Sequence, residues 1–419
     1  MPSTSFEAPP AAPGDAAAKA ARWTLLVLLG VNLLNYLDRQ VLYSLLPLIQ
    51  SDLKIGDAQA GWLASAFMLV YMVAAPPIGY WADKGGRRAW ITVGVVFWSV
   101  ATALSGLAGG YPSLLCARSA VGIGESCYGS ISPSFVAEHF EPARRGSVLA
   151  LFSMAIPVGS ALGYIAGGAL GATLGWRHAF WLVGVPGLVL AALCARLPEP
   201  PRSARAAAED APSGWDYLRL FRIPSFTLVT LAGAAMTFTL GGLAVWMPSF
   251  FHRQWGLSVA QAGTYFGAIT VVGGIVGSLA GGWLADALLK VTSRAHFIIS
   301  GAGLLGGLPL ALAALAAPSF QASVVLLISA EILLFLNMGP LNAIIVAVTS
   351  ARRRSMAFAA NILVIHALGD AISPWIIGAC SDRFGLQTAL RLATVGLGLG
   401  GAFCLWGIKH YDQDCVEAA

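Results

Sequence analysis

Long apolar runs alternate with short polar ones along this chain. Runs of the length that crosses a bilayer as a helix, about 20 residues, fall at 22–48, 58–82, 88–109, 112–138, 145–172 and 177–197. They resume at 224–251, 259–287, 295–316, 319–349, 354–381 and 387–409. The pattern predicts an all-α membrane protein with twelve transmembrane helices, six and six. Between the sets, residues 198–223 hold Pro198, Pro200, Pro201, Arg202, Arg205, Glu209, Asp210 and Pro212. This stretch reads as a cytoplasmic linker between an N-terminal half, 22–197, and a C-terminal half, 224–410. Residues 1–21 are rich in Ala and Pro and lack an apolar h-region, so they read as a disordered cytoplasmic tail without a cleavable signal. Residues 411–419 read as a second short tail.

Two helices break their apolar pattern. In the first, Asn32, Asn35, Arg39 and Tyr43 share one face, with Asp38 beside it. In the fourth, Arg118, Gly122, Glu125, Gly129 and Ser132 step by four, three, four and three residues and form a second stripe. Charged side chains at such depth are costly unless they face protein or a water-filled cavity. Arg118 and Glu125 stand two turns apart, roughly 10 Å along the axis, too far for a direct bridge unless both side chains reach; a third group, Arg39 or Asp38, can link them. Away from the ends of its spans, the C-terminal half offers Glu331, His366 and Asp370. These residues are either a structural ion network or a site for a headgroup and a proton, and intramembrane charge favours the second reading. A cavity charged on one wall and apolar on the other suits an amphiphile with an acidic or zwitterionic head.

Composition agrees with the pattern. The 419 residues are 57% hydrophobic and 11% charged, against about 25% charged in soluble chains. The net charge of +5 therefore bears on orientation and gives no reason to expect nucleic acid. With the N-terminus inside, 18 of the 25 Lys and Arg fall in cytoplasmic segments and 5 outside, leaving Arg39 and Arg118 in the membrane. That bias places both termini in the cytoplasm and favours an even number of spans. The six cysteines are scattered, with no CxxC and no His at metal spacing, so neither a metal nor another cofactor is expected. No HExxH, GxSxG or phosphate-binding loop points to an enzyme.

The halves repeat. Gly79-Tyr80-Trp81-Ala82-Asp83 closes the second span and Gly282-Trp283-Leu284-Ala285-Asp286 the eighth, 203 residues on. Ala143-Arg144-Arg145-Gly146-Ser147 opens the fifth and Ala351-Arg352-Arg353-Arg354-Ser355 the eleventh, 208 residues on. Two six-helix halves related by an axis along the membrane normal are the architecture of the major facilitator superfamily. The stretch from Gly79 to Arg88 resembles that superfamily's signature G-x-x-x-D-[RK]-x-G-[RK]-[RK]. The resemblance implies a cytoplasmic gate of Gly79, Asp83, Gly86, Arg87 and Arg88, with Asp83 meeting the start of helix eleven near Ser355. Gly378 to Gly385 has a similar look but lies on the external side, and is given no latch role.

Narrower strings resemble the Spinster branch of the superfamily: Arg118 to Tyr128, Ala155 to Tyr164 and His366 to Pro374. Asn35-Tyr36-Leu37-Asp38-Arg39 fits as well, although carboxylate and hexuronate symporters carry a similar string. Asp38, Arg39, Arg118, Glu125 and Tyr128 match residue by residue, with Asn35, Glu331, His366 and Asp370 as secondary candidates. A compact, bacterial-style member is implied: a proton-coupled transporter working by alternating access, for a lysophospholipid or sphingosine-1-phosphate type of amphiphile. A symporter of small organic anions is the alternative. A monomer in the inner membrane is expected, with Glu125 carrying the proton and Asp38 orienting Arg39.

Overall fold

The computed structural model describes residues 15–199, 214–350 and 353–418. Within them every regular element is helical. The N-terminal half comprises α1 (Asp15–Leu53), α2 (Asp57–Lys84), α3 (Arg87–Ser105), α4 (Tyr111–Gly129), α5 (Ser132–Glu138), α6 (Pro142–Ser153), α7 (Ala155–Leu174) and α8 (Trp176–Cys194). A short α9 (Gly214–Leu220) precedes the C-terminal half. That half holds α10 (Pro224–Trp255), α11 (Val259–Leu289), α12 (Ala295–Leu315), α13 (Phe320–Phe335), α14 (Met338–Ala347), α15 (Arg354–Leu368), α16 (Ser373–Phe384) and α17 (Leu386–Gly407). A final α18 (Tyr411–Ala418) follows. Among the described residues, eleven helical segments are long and apolar enough to cross a membrane. The remaining crossing is α4 with α5, which Arg118, Glu125 and many small residues make less apolar.

Spans four, five, ten and eleven, continuous in their sequence pattern, are each broken in two. The restarting helices α5, α7, α14 and α16 carry Pro133, Pro157, Pro340 and Pro374 in their first turns. Proline lacks the N–H that would bond one turn back, and its ring crowds that carbonyl. The breaks correspond between halves, four with ten and five with eleven. Packing repeats too: α3 lies against α4 and α8, and α12 against α13 and α17. Likewise α2 lies on α4, and α11 on α13.

The segment 411–419, expected as a tail, is helical over Tyr411–Ala418 and docked. Tyr411 is buried edge-on against Phe297, and Asp414 accepts from the Ser225 N–H at 2.7 Å, capping α10. Helix α1 begins at Asp15, before the expected boundary at residue 22. Residues 1–14 and most of the expected linker lie outside the described residues.

The two halves meet mainly at the end that carries the α1–α2 turn. Helix α7 packs on α11, and α16 on α2, whereas α15 touches α2 far less. Close approach there depends on glycine. A Cβ on Gly168 would stand 2.7 Å from Val259 O, and one on Gly267 2.8 Å from Ala161 O; one on Gly263 would overlap Tyr164 O. Between described residues, the hydrogen bonds that join the halves all lie toward this end, among them Tyr164 Oη to Ala244 O at 2.8 Å and the Trp375 N–H to Ser65 Oγ at 3.2 Å. The opposite end, with the α2–α3 turn, has no such seam among the described residues. Gly263→Val should therefore hold the sealed end apart, since overpacking costs about 1–3 kcal/mol. Ser65 is fully buried, so Ser65→Cys, placed in that background, should react faster with an impermeant maleimide; unchanged labelling would show that the α7–α11 seam does not control closure.

Candidate functional site

Helix α1 and broken span four hold the charges in two crossed pairs. Arg39 Nε donates to Glu125 Oε2 at 2.6 Å, and Arg118 Nη1 donates to Asp38 Oδ1 at 3.2 Å. Neighbouring residues 38 and 39 thus reach partners two turns apart on α4. This arrangement corrects one expectation: Asp38 is held by Arg118, with Thr102 Oγ1 donating to its second oxygen, and does not orient Arg39. Asp38, Arg118 and Glu125 are buried, while the Arg39 side chain keeps 15% exposure.

Aromatic rings flank both cations. The Arg39 guanidinium carbon lies 5.2 Å from the Tyr36 ring centre, 5.0 Å from Phe67 and 5.4 Å from Tyr71. That of Arg118 lies 5.6 Å from Phe180. Ring faces attract a cation more strongly where water is scarce. Gly122 and Gly129 on the α4 stripe let α2 come close: a Cβ on the first would stand 2.5 Å from Phe67 O, and one on the second would overlap the Tyr71 hydroxyl. These small residues set the cage around Arg39.

Two carboxylates and two guanidiniums cancel in charge, yet the pairing is incomplete. Glu125 Oε1, Arg118 Nε and Asn35 Nδ2 are buried and make no hydrogen bond to protein. An unsatisfied buried polar atom is costly, so this cluster is poised to gain from a polar guest. Asn35, one turn before Arg39, belongs to it.

Across from α1, His366 Nδ1 bonds Asp370 Oδ1 at 2.8 Å, and both side chains stay partly exposed. Asp370 lies against Gly241 of α10, the C-terminal helix that packs on α1. Here the polypeptide of span eleven leaves its helical path between α15 and α16. The other candidates sit elsewhere. Tyr128, on the same helix as Glu125, donates its hydroxyl to Leu28 O at 2.7 Å and packs edge-on against Trp98 at 5.7 Å. It ties α4 to α1 and α3 and makes no contact with the ion pairs. Glu331 is buried on α13 against Gly273 of α11, and its Oε2 has no hydrogen-bond partner.

Of the gate residues, Gly79 leaves open space around its Cα. Gly86 precedes α3, whose first N–H groups, those of Arg87 and Arg88, bond the Glu199 carboxylate at 2.8 and 3.1 Å. The Arg87 guanidinium is bidentate on Glu138 at 2.8 Å, and Arg88 Nη1 donates to Leu197 O at 3.1 Å. These contacts stay within the N-terminal half and its exit. The side chains of Asp83 and Ser355 lie outside the described residues.

Sequence reasoning missed Thr102, Phe67, Tyr71 and Phe180. Each is an ordinary membrane-helix residue by type, and only the approach of α2, α3 and α8 to the charges singles it out.

The pattern of the Major Facilitator Superfamily matches residues 28–374. Protein spinster homolog 1 of Bos taurus is 37% identical over 94% of this chain and 81% of its own length. That of Homo sapiens is 35% identical over 93% and 80%. The chain belongs to the Spinster branch of the major facilitator superfamily. It is thus a multi-pass membrane protein of a transporter family. A solved bacterial homologue of the human lysosomal transporter Spinster, in an inward-facing and unoccupied conformation, superposes with a TM-score of 0.84 at 24% identity over 94% of this chain and 98% of that one. A D-xylose–proton symporter superposes at 0.72 and 18% identity, over 92% and 96%. Both likenesses speak for the fold that a Spinster member shares with sugar carriers.

Proposed function

We propose that this Spinster-type protein is a secondary active transporter that rocks its halves about a midplane site and carries a lysolipid-like amphiphile, of lysophospholipid or sphingosine-1-phosphate type, coupled to protons. The observation that carries the reading is the pair of crossed ion bridges, Arg39–Glu125 and Arg118–Asp38, with Arg39 partly exposed. An anionic head can replace Glu125 on Arg39 through charge-assisted hydrogen bonds, and the released carboxylate can then take up a proton. Seals at one end and separation at the other support alternating access. The Lys and Arg bias supports a cytoplasmic α2–α3 end, which makes this form inward-facing. In the reverse state, Gly79, Asp83, Gly86, Arg87 and Arg88 would form the cytoplasmic gate, Asp83 meeting the start of α15. The protein would act as a monomer in the inner membrane.

Substrate class is tested in liposomes with lysolipids of increasing chain length, with headgroups alone and with small carboxylates, with and without a pH gradient. Apolar walls around a charged cluster should raise affinity with chain length by up to about 0.8 kcal/mol per buried methylene. Heads without a chain should bind poorly. Equal binding of glycerophosphate heads and whole lysolipids would favour the small-anion alternative, which the Asn35–Arg39 string permits.

A further inference from the structure

Outside the charged cluster, Gly378-x-x-x-Asp382-Arg383-x-Gly385 repeats the spacing of Gly79-x-x-x-Asp83-Lys84-x-Gly86. The two strings close α16 and α2, antiparallel helices that pack against each other across the halves. We infer that the first string is a working latch at the sealed end, in which Asp382 caps the start of α2 from the opposite half while Asp57 grips that half in return.

The cap is geometrically complete. Asp382 Oδ1 accepts from the Asp57 N–H at 2.8 Å, and Oδ2 from the Ala58 N–H at 2.9 Å. Those are the first two amide groups of α2, which a helix leaves without internal partners. The chain supplies no side-chain cap of its own, because the N-cap residue is Gly56. Glycine there also makes room: a Cβ on Gly56 would stand 3.1 Å from the Asp382 carboxylate. A Cβ on Gly378 would overlap Asp57 O, so the first glycine of the string is what lets the two helices touch. Gly385 ends α16 with φ of 81°, in the left-handed region that glycine adopts without strain. Gly378 and Asp382 therefore have physical tasks at this contact, and Gly385 has one at the end of α16.

Asp57 completes the latch from the other side. It is 7% exposed and takes both terminal nitrogens of Arg253, at the end of α10, at 2.6 and 2.8 Å. Ser381, next to the capping Asp382, donates to it as well. Gln50 braces the pair, donating to Asp57 at 2.6 Å and accepting from Arg253 at 2.9 Å. A carboxylate at a helix start and a bidentate guanidinium pair reinforce each other around one residue. Opening this end must break all of these contacts together. On the reading above, in which Asp83 meets the start of α15 in the reverse state, spans two and eleven trade one carboxylate-to-helix-start latch for another as the halves rock.

Spin labels at Lys54 and Phe384, on opposite sides of the seam, test this by double electron–electron resonance in liposomes, in a cysteine-substituted background that transports. Asp382→Asn should raise the ratio of open to closed sealed ends about two- to fivefold. Asp57→Asn, which also loosens the bidentate grip on Arg253, should raise it roughly five- to thirtyfold. Asp382→Glu keeps a carboxylate and should stay near wild type, which separates capping from misfolding. Asp52→Asn is the control, because Asp52 pairs with Arg177 inside the N-terminal half at 2.6 Å. If wild type opens with substrate while Asp382→Asn and Asp57→Asn match Asp52→Asn, the latch is wrong and alternating access stands. If wild type never opens at this end under any substrate or pH gradient, alternating access fails and the latch with it.

Discussion

Arg118→Ala is expected to cost about 3–5 kcal/mol of stability and to abolish transport, because it strands a buried carboxylate. Asp38 and Arg118 are each 1% exposed and 3.2 Å apart at their closest polar atoms. Taking both from water is affordable only while they face each other. Without the guanidinium, Asp38 keeps Thr102 as its hydrogen-bond partner, which cannot offset a full charge in an apolar bundle. Arg118→Lys should recover part of the stability and none of the substrate binding, since an ammonium lacks the planar fork and the free Nε that this site presents. Arg39→Lys should fail in the same way at the headgroup. The double variant Asp38→Asn with Arg118→Gln removes both charges and should fold nearly as well as wild type while remaining inactive. Thermal unfolding in detergent, alongside uptake into liposomes, separates these effects. Wild-type unfolding of Arg118→Ala would show that the pair is not structural. Full binding by both lysine variants would reduce the arginines to a diffuse positive field.

Glu125→Gln is expected to abolish accumulation driven by a pH gradient while leaving exchange of substrate across the membrane. Glutamine keeps the shape of the side chain and can still accept from Arg39 Nε, so the packing of α1 on α4 should survive. What it loses is the ability to exchange a proton. Burial and a facing arginine pull on such a carboxyl in opposite senses, and displacing the arginine shifts the balance. In this structure Arg39 closes on Glu125 at 2.6 Å. A substrate head that draws Arg39 away leaves Glu125 to bind a proton, which is the coupling proposed above. Asp38 is the rival carrier, but it has two standing partners, Arg118 and Thr102, both on the N-terminal half. Counterflow and uphill uptake, measured across a series of pH gradients, discriminate the two. If Glu125→Gln still accumulates substrate with unchanged pH dependence and Asp38→Asn does not, the roles are reversed.

How far the site was legible depended on the kind of signal. Charges in an apolar run are rare enough to announce themselves, so Asp38, Arg39, Arg118 and Glu125 could be picked out from one chain. Their pairing could not. Asp38 and Arg39 are neighbours, and sequence proximity suggested that they serve each other. On a helix, adjacent side chains diverge by about 100°, and each finds a partner on α4 instead. Tyr128 shared the helix and the family string, yet its side chain turns away to Leu28 and Trp98. The aromatic cage around Arg39 was invisible, because Phe67 and Tyr71 are unremarkable residues on a different helix.

Hydropathy, the Lys and Arg bias and the repeated strings determined the span count, the two halves and the superfamily, because a bilayer forces every crossing segment to be apolar and internally hydrogen-bonded. Which prolines break a helix was left to tertiary structure. Pro47, Pro76, Pro77, Pro186, Pro248 and Pro309 lie inside continuous helices, whereas Pro133, Pro157, Pro340 and Pro374 follow breaks. A proline removes one backbone bond wherever it stands, but neighbouring helices decide whether the chain bends, restarts or runs on. The contact made by the Gly378–Gly385 string was likewise decided by packing. Its spacing is written in the chain, but a carboxylate becomes a cap only when the bare start of another helix is brought within 3 Å of it, and here that helix comes from the other half of the molecule.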